Sequence, residues 1–309
     1  MTARMGQSGF VLVNALVLVA AMAAAAVFLL ARAEDGRARL AAVQTGEALR
    51  GNLDAMEAMG KAVLARDGRQ GDVDSLTDAW ARPIPSLDLE RGRVSGRITD
   101  EQGLFNLNWL ANPENDRAAE AFEELLARLG LAPQIGDAIV AFVSNTGPRN
   151  RGAYAQLDPG LVPLGGPVLL LDQIAAMPEM SAGDFERLRP FITALPVATR
   201  LNVNTAPEVI LRAMLPELSS AQITSVLRKR EDEPFIQIEL FFEELSQPTD
   251  IEENPEAIEI GQFSVQSNWF LGRFSAELET YQAQRDVLYL RGGGAQIDTE
   301  WRVTRFGED

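Results

Sequence analysis

The chain has 309 residues, carries 28 Lys+Arg against 44 Asp+Glu for a formal net charge of −16, and contains neither His nor Cys. The missing thiols exclude disulfides and thiolate metal sites, and the missing imidazoles exclude a Ser-His-Asp triad and His-ligated metals. The negative charge disfavours nucleic acid and anionic membrane surfaces as partners, which leaves carboxylate chemistry, oxygen-ligated hard cations or a protein without a reaction.

The N-terminus carries an unbroken apolar run over residues 10–31, in which Asn14 is the only strongly polar side chain. A helix of that length spans about 30 Å, the thickness of a bilayer's hydrocarbon core, so we predict a transmembrane helix over 10–31. The short leader before it, residues 1–9, ends at Gly9, and Phe10 opens the apolar run. This arrangement is typical of a prepilin signal that is cut after Gly9, and a plain uncleaved anchor stays open as the alternative.

A helical period continues beyond the membrane run. Apolar residues recur every three to four positions from Leu40 to Leu64, which predicts one long helix whose second half packs on a body outside the membrane. The prolines of WARPIP, at 80–85, forbid a helix interior. Two β-like runs follow at 87–90 and 94–99, and we predict a hairpin between them.

The middle of the chain, residues 114–250, is predicted to be helical throughout, with most loop signals at 144–167. Before it, ITDEQGLFNLNWLAN at 98–112 is predicted to form a loop that leads into a helix, because short amides close on nearby backbone. The predicted helices are Ala118–Leu129, Gln134–Val143, Leu169–Met177, Ala182–Ala194, a segment to Leu215 with Asn204 or Thr205 as its cap and Pro207 and Glu208 in its first turn, Ser220–Arg230 and Ile238–Leu245.

Beyond Asn254 the hydrophobic period changes to two, which predicts antiparallel strands at Phe263–Phe270, Gly272–Tyr281, Asp286–Leu290 and Ile297–Phe306. The predicted class is therefore α+β: a long N-terminal helix packed on an antiparallel sheet, with an all-α domain inserted between strands. We place the helix and first strands at 32–112, the inserted domain at 113–250 and the last strands at 251–309.

Common catalytic fingerprints are absent, because the chain has no P-loop, no G-x-G-x-x-G after a strand and no G-x-S-x-G. The densest acidic run is 231–259. Its candidates for holding a hard cation are Glu231, Asp232, Glu233, Glu243 and Glu244, although no D-x-D-x-D-G loop occurs and a solvated acidic face explains the run as well. A periplasmic hydrolase that uses two close carboxylates stays open as one alternative function.

Residues 201–235 have the pattern of a helix-hairpin-helix unit. In DNA-binding versions a Gly-rich turn holds a phosphate through backbone N–H groups. Here the turn, 216–220, has no Gly and contains an acid. A purely structural hairpin is therefore favoured, and a membrane-anchored DNA-binding or DNA-uptake protein is kept as the second alternative.

Five segments, spread in order along the chain, resemble one family, the minor pseudopilin K of type II secretion systems. They are Gly9-Phe10 with its helix, ITDEQGLFNLNWL at 98–110, FITALP at 191–196, LNVNTAPEVILRAML at 201–215 and VQSNWF at 265–270. The most specific part pairs Phe105, Asn106, Leu107 and Asn108 with Asn202, Asn204, Thr205 and Ala206. The resemblance implies a pilin-like fold and a non-enzymatic subunit at the tip of a periplasmic pseudopilus.

The resemblance also implies partners and a location. These are the minor pseudopilins I and J, the major pseudopilin and the prepilin peptidase that processes the chain between Gly9 and Phe10 and methylates the new N-terminus, with no nucleic acid. The anchor lies in the inner membrane and the body in the periplasm. Most pilins carry Glu at the fifth mature position, whereas the corresponding residue here is Asn14. The K family characteristically lacks this Glu, which implies a subunit with nothing stacked above it.

Calcium is the remaining implication of the resemblance. Family members can bind calcium through an acidic D-W-x-D-x-D stretch in the helical domain, and the corresponding stretch here is AFVSNTGPRNRGAY, residues 141–154. Ala141 and Ser144 stand where Asp is expected. Calcium at this stretch is therefore in doubt, and we expect no cofactor.

Overall fold

The computed structural model describes residues 7–246, 262–293 and 296–308, and the side chains of 12–246, 262–293 and 296–307. Within these ranges the helices are α1 Gln7–Asp67, α2 Asp116–Arg128, α3 Pro133–Val143, α4 Arg151–Ala155, α5 Asp172–Ala175, α6 Ala182–Leu188, α7 Glu208–Met214, α8 Ser220–Asp232 and α9 Ile238–Leu245. The strands are β1 Ile84–Asp88, β2 Arg93–Asp100, β3 Phe105–Asn106, β4 Ile192–Thr193, β5 Leu201–Asn202, β6 Phe263–Ser264, β7 Trp269–Leu278, β8 Tyr281–Arg291 and β9 Ile297–Glu308. Short 3-10 turns lie at Glu101–Gly103, Leu107–Ala111 and Arg189–Phe191.

α1 is one unbroken helix of 61 residues, about 90 Å long at about 1.5 Å per residue. In the described part of the chain it is the one helix long and apolar enough to cross a bilayer, with a mean hydropathy of 2.5 over its apolar window and 0 % of that window buried. Its second half presents a stripe of buried residues to the body, namely Leu49, Leu53, Met56 and Leu64. The prediction of a single long helix whose second half packs on a sheet is confirmed.

The strands β1, β2, β7, β8 and β9 form an antiparallel sheet in that order. The buried stripe of α1 packs on one face of this sheet, against Trp80, Phe270, Phe274 and Tyr289. Gly60 makes the close approach possible, because a Cβ there would lie 2.9 Å from both the Phe274 ring and the Tyr289 hydroxyl. The predicted hairpin at the start of the sheet is confirmed as β1 and β2.

An inserted body separates two strands that are neighbours in the sheet. β2 pairs with β7 from Arg93 opposite Glu277 to Asp100 opposite Phe270, and the chain between them, residues 101–268, contains α2 to α9. This range is wider than the predicted 113–250. The body has its own core, in which Phe105, Phe122, Leu125, Ile139, Ile210 and Phe241 are buried. The predicted α+β class, with a helical domain inserted between strands, is confirmed.

The inserted body also contains extended pairs where the sequence predicted only helix and loop. β3 pairs in parallel with β4, and β5 pairs in parallel with β6. The predicted helix over Ala182–Ala194 is therefore wrong beyond Phe191. Pro190 lacks a backbone donor, so α6 ends in a 3-10 turn and the chain extends into β4.

Other predicted boundaries differ in the structure. The helix predicted over Leu169–Met177 shrinks to α5, a single turn. The cap predicted at Asn204 or Thr205 is wrong, because Pro207 is the N-cap of α7 and the Asn204 side chain bonds elsewhere. The strand predicted over 263–270 divides into β6 and the start of β7, since the chain bends between them at Val265.

Candidate functional site

The N-terminal half of α1 is the first candidate, because it carries the residues assigned to processing and helix assembly. Gly9 and Phe10 lie within α1, and their side chains are outside the described residues. Asn14 is exposed in the apolar half of the helix. Exposed large apolar side chains continue past the predicted span to Leu40 and Val43, which are 59 % and 62 % exposed. A helix with this much uncovered apolar surface has partners that the isolated chain does not supply.

The first N-x-N motif forms a set of buried hydrogen bonds that we call the first amide clamp, Asn106 and Asn108. Asn106 Oδ1 accepts from the backbone N–H groups of Asn108 (3.1 Å) and Leu195 (3.0 Å). Asn108 closes a bidentate pair with Val168, accepting from its N–H at 2.7 Å and donating to its carbonyl at 2.9 Å. Both Asn side chains are at most 2 % exposed. The clamp therefore fixes two distant loops to the start of the inserted body.

The second N-x-N motif repeats this chemistry, and we call Asn202 and Asn204 the second amide clamp. Asn202 Oδ1 accepts from the backbone N–H of Asn204 at 3.0 Å, as Asn106 does for Asn108. Asn204 closes a bidentate pair with Phe235, accepting from its N–H and donating to its carbonyl, both at 2.9 Å. Side-chain amides have the donor and acceptor of a peptide group, so each second Asn substitutes for one residue of strand pairing.

The two clamps occupy equivalent places in two consecutive units of the inserted body. Each first Asn ends a two-residue strand, β3 or β5, and each of these strands has a parallel partner late in its unit, β4 or β6. The remaining motif residues Phe105, Leu107 and Ala206 are fully buried core. The structure thus brings the predicted motif residues together within each clamp and places the two clamps separately.

Asn202 and Thr205 also enter a buried polar cluster that joins the inserted body to the sheet. We call it the junction network, and its members are Asp67, Asp74, Asp100, Asn202, Thr205, Ser267 and Arg291. Asp100 Oδ2 accepts from Thr205 Oγ1 (2.6 Å), Ser267 Oγ (2.6 Å) and Asn202 Nδ2 (3.0 Å). Arg291 pairs with Asp74 and also with Asp67, the latter at 3.1 Å. Chain segments from α1, β2, the inserted body and β8 therefore meet in one hydrogen-bonded unit.

Burial sets the electrostatics of this network. Desolvation raises the pKa of Asp100 to about 6 even though its hydroxyl and backbone donors favour the charged form. The pKa of Asp67 is likewise raised to about 6, by burial and by the neighbouring charges of Asp78 and Asp74. Sequence reasoning missed Asp74, Asp100 and Arg291. The one available signal was the position of Asp100 in ITDEQG, directly before the first motif.

The acidic candidates from the sequence are not gathered into one site. Glu231, Asp232, Glu233 and Glu243 are exposed, and Glu244 accepts from Lys229 Nζ at 2.8 Å and from Ser225 Oγ at 2.6 Å. These bonds lower the pKa of Glu244. Within the described ranges, the group of three carboxylates whose oxygens approach within 4.8 Å of one another lies elsewhere, at Asp67, Asp74 and Asp78.

Two further stretches that the sequence singled out have internal roles. At 141–154 the Arg151 guanidinium donates to the Thr146 carbonyl at 2.7 Å, so a fixed positive charge lies in the loop where the family's calcium ligands are expected. In the basic triplet that ends the helical hairpin, Arg230 donates to the carbonyls of Val203 and Ala206, both at 2.7 Å. Burial lowers the pKa of Arg230 to about 10. This guanidinium faces the protein interior, away from any duplex.

Comparison with known proteins relates this chain to a single protein family. The profile of the first domain of type II secretion system (T2SS) protein K matches residues 103–197, and a second profile of the same protein matches 201–261. The first match contains β3, β4 and the first amide clamp, and the second contains β5 and the second amide clamp. Together they cover half of the chain.

Two relatives and one solved structure agree with these matches. Type II secretion system protein K of Pseudomonas aeruginosa is 30% identical over 264 residues, covering 79% of this chain and 78% of that protein. The protein K of Aeromonas hydrophila is 26% identical and covers 93% of both chains. The fold resembles a chain in the crystal structure of the GspK-GspI-GspJ complex from the type 2 secretion system of enterotoxigenic Escherichia coli, with a TM-score of 0.74, 22% identity, and coverage of 88% of this chain and 100% of that one.

Proposed function

The chain belongs to the type II secretion system protein K family and is a minor pseudopilin of that system, and from this premise we propose that it caps the tip of the pseudopilus together with the minor pseudopilins I and J. The observation that carries the proposal is the uncovered apolar surface of α1, which extends past the lipid-spanning length to Leu40 and Val43. The solved complex of similar fold contains partners with these names, which supports I and J as partners here.

We assign the leader to processing by the prepilin peptidase, with cleavage between Gly9 and Phe10. Phe10 then becomes the first residue of a helix that stays in the inner membrane, and the body lies in the periplasm. Asn14 leaves the fifth mature position uncharged, so this subunit has no carboxylate to neutralise the N-terminal amine of a neighbour. An uncharged residue there suits the last subunit of the assembly, because nothing needs to stack above it.

We propose further that the protein performs no reaction. The polar residues that stand out in its sequence, those of the two amide clamps, are buried and hold the inserted body together. The DNA-binding alternative is not favoured, because the hairpin's Arg230 bonds its own backbone and its Lys229 bonds Glu244. The acidic run stays a proposal for a cation or a basic partner, with Glu231, Asp232 and Glu233 exposed to receive either.

Processing is tested by mass spectrometry of the N-terminus from cells with and without prepilin peptidase. We expect a chain that begins at Phe10 only when the peptidase is present, and we expect Gly9→Leu to abolish this cleavage. Gly6→Leu is the matched control, since it changes a glycine of the same leader that is not at the scissile bond. An uncleaved Met1 in both strains would refute the assignment.

Assembly is tested with the full chain in detergent micelles, mixed with purified minor pseudopilins I and J. We expect a stable complex by size-exclusion chromatography, and we expect Leu40→Glu combined with Val43→Glu to disrupt it by placing charges in a helix-helix contact. Gln44→Glu is the control, because Gln44 is exposed next to these residues and is already polar. Absence of a complex with the unaltered chain would contradict the proposed role.

A further inference from the structure

Three arginines converge on a cleft of about 890 Å³ between the outer face of the sheet and the inserted body. Arg97 on β2 and Arg273 on β7 lie directly opposite each other in the sheet register. Arg189 comes from the 3-10 turn after α6 and lines the same cleft. The sheet and the inserted body therefore both contribute positive charge to one concave surface.

Arg97 and Arg273 repel each other across the β2–β7 pair, and Arg273 also lies opposite Asp286 on β8. Like charges directly opposite on antiparallel strands are destabilising, and the chain as a whole has a net charge of −16. A fourth arginine of the cleft, Arg305, is already satisfied by Asp172 at 3.1 Å and Asp286 at 3.0 Å.

The three convergent arginines are less closely paired than Arg305. Of the carboxylates that the structure describes, none lies within 4 Å of the Arg97 or Arg273 guanidinium, and the nearest to Arg189 is Glu186 at 3.9 Å. Arg273 Nε is buried without a hydrogen-bond partner. Burial lowers the pKa of Arg273, the charges of Glu101 and Asp286 oppose this shift, and the repulsion of Arg97 and Arg189 adds to it. An anion that enters the cleft would supply the missing acceptors.

The size and position of the cleft identify the kind of anion. Its lining runs from the edge strand β1 across the sheet to Arg305 on β9, which is the extent of a peptide segment and far larger than a single ion. The cleft is also far from lipid. A helix rises about 1.5 Å per residue, so Leu49, where α1 first becomes buried, lies about 27 Å beyond residue 31.

We propose that this cleft, lined by Arg97, Arg189 and Arg273, binds an acidic, carboxylate-bearing segment of a partner subunit. The inference rests on the proposed function, because it assigns one docking surface within the same tip assembly. Carboxylates pair with guanidinium groups in bidentate geometry, so three convergent arginines select Asp or Glu side chains over neutral ones. In a protein with a net negative charge, such a cleft directs an acidic partner to one place and orientation.

The direct test uses a fluorescent octaglutamate peptide and the full chain in detergent micelles, with binding read by fluorescence anisotropy. We expect saturable binding that weakens as salt rises, and a loss of affinity of about tenfold or more in the double variant Arg97→Glu with Arg189→Glu. Arg69→Glu with Arg149→Glu is the matched control, since both residues are exposed arginines outside the cleft. Arg97→Lys with Arg189→Lys keeps the charge and removes the bidentate geometry, so it should weaken binding less than the charge reversal does.

The same variants then enter the complex with the minor pseudopilins I and J. We expect the double charge reversal to weaken the complex by about tenfold while the control stays within about twofold. If the unaltered chain forms the complex and the double variant forms it equally well, the cleft proposal is overturned and the proposed function stands. If the unaltered chain forms no complex, the proposed function fails, and octaglutamate binding alone decides whether the cleft takes acidic segments.

A vesicle-binding experiment tests whether the cleft binds anionic lipid instead of an acidic peptide segment. Vesicles that contain anionic phospholipid should bind the unaltered chain and the double variant equally. Loss of vesicle binding in the double variant, with octaglutamate binding unchanged, would assign the cleft to a membrane surface and refute the proposal.

Discussion

Replacing Asn202 with alanine removes the side chain that belongs both to an amide clamp and to the junction network. Asn202 is fully buried, and its amide makes four hydrogen bonds. Nδ2 donates to the Asp74 carbonyl at 3.1 Å, to Asp100 Oδ2 at 3.0 Å and to Ser267 Oγ at 3.0 Å, and Oδ1 accepts from the Asn204 N–H at 3.0 Å. Alanine makes none of these bonds and leaves their partners in place.

The expected loss in the free energy of unfolding depends on which hydrogen-bond partners of Asn202 are left without any other bond. Asp100 and Ser267 stay bonded to each other, but the Asn204 N–H loses its acceptor and the Asp74 carbonyl loses its donor. Each buried group left unsatisfied costs about 1–3 kcal/mol, so we expect Asn202→Ala to lower the free energy of unfolding by about 2–6 kcal/mol. Loss of one donor to the Asp100 carboxylate also moves the pKa of that group further upward.

The assay is urea unfolding of the full chain in detergent micelles, followed by tryptophan fluorescence. The matched control is Asn145→Ala, because Asn145 is exposed, and we expect it to change the free energy by less than about 0.5 kcal/mol. A loss below about 1 kcal/mol for Asn202→Ala, with an unchanged m value, would refute the reasoning, since it would mean that water or a relaxed backbone satisfies both groups.

Two further predictions concern α1. We expect Gly60→Ala to destabilise the protein by about 1–3 kcal/mol, because its Cβ would lie 2.9 Å from the Phe274 ring. Gly51 has open space around it, so Gly51→Ala should stabilise the protein by up to about 1 kcal/mol. Thermal unfolding measures both, and equal effects would contradict this prediction. The pKa of Asp67 is raised from 3.8 to about 6 in the folded protein. Its contribution to the free energy of unfolding is therefore fully present below pH 3.8 and is lost as pH rises through 6. The unfolding free energy of the wild type relative to Asp67→Asn should therefore fall across that window, and a flat or rising difference measured in urea would contradict the assigned shift.

The periodic parts of the fold could be predicted from the sequence. The bounds of α2, α3, α8 and α9 agree with the prediction within two residues, because each has a regular apolar face and a recognisable start or stop. The α1 stripe is predicted from Leu40, whereas its buried part begins at Leu49. Ser219 with Gln222, for example, forms a capping box that fixes the start of α8. Local sequence patterns of this kind determine where a helix begins or ends without any tertiary contact.

The elements that could not be predicted depend on partners distant in the chain. β4 and β6 are two residues long and exist only because β3 and β5 lie beside them. Asn204 shows how a distant contact can replace a local one. Its short side chain is a standard helix cap, yet it bonds the backbone of Phe235 because the second unit of the inserted body brings that residue to it. The motif residues were found by resemblance, and their roles became visible only with these contacts.

The choice of amides at these positions has a physical reason. A buried ion pair must recover a desolvation cost of several kcal/mol per charge, whereas an amide presents one donor side and one acceptor side and can pair with a backbone group without net charge. In a chain with a net charge of −16 and no His, four buried Asn side chains fix the two units of the inserted body at little electrostatic cost. We propose that the arginines of the cleft, by contrast, are available to bind a partner. The polar residues that stand out in the sequence hold the fold, and we propose that the residues that decide assembly lie on α1 and at the border between the sheet and the inserted body.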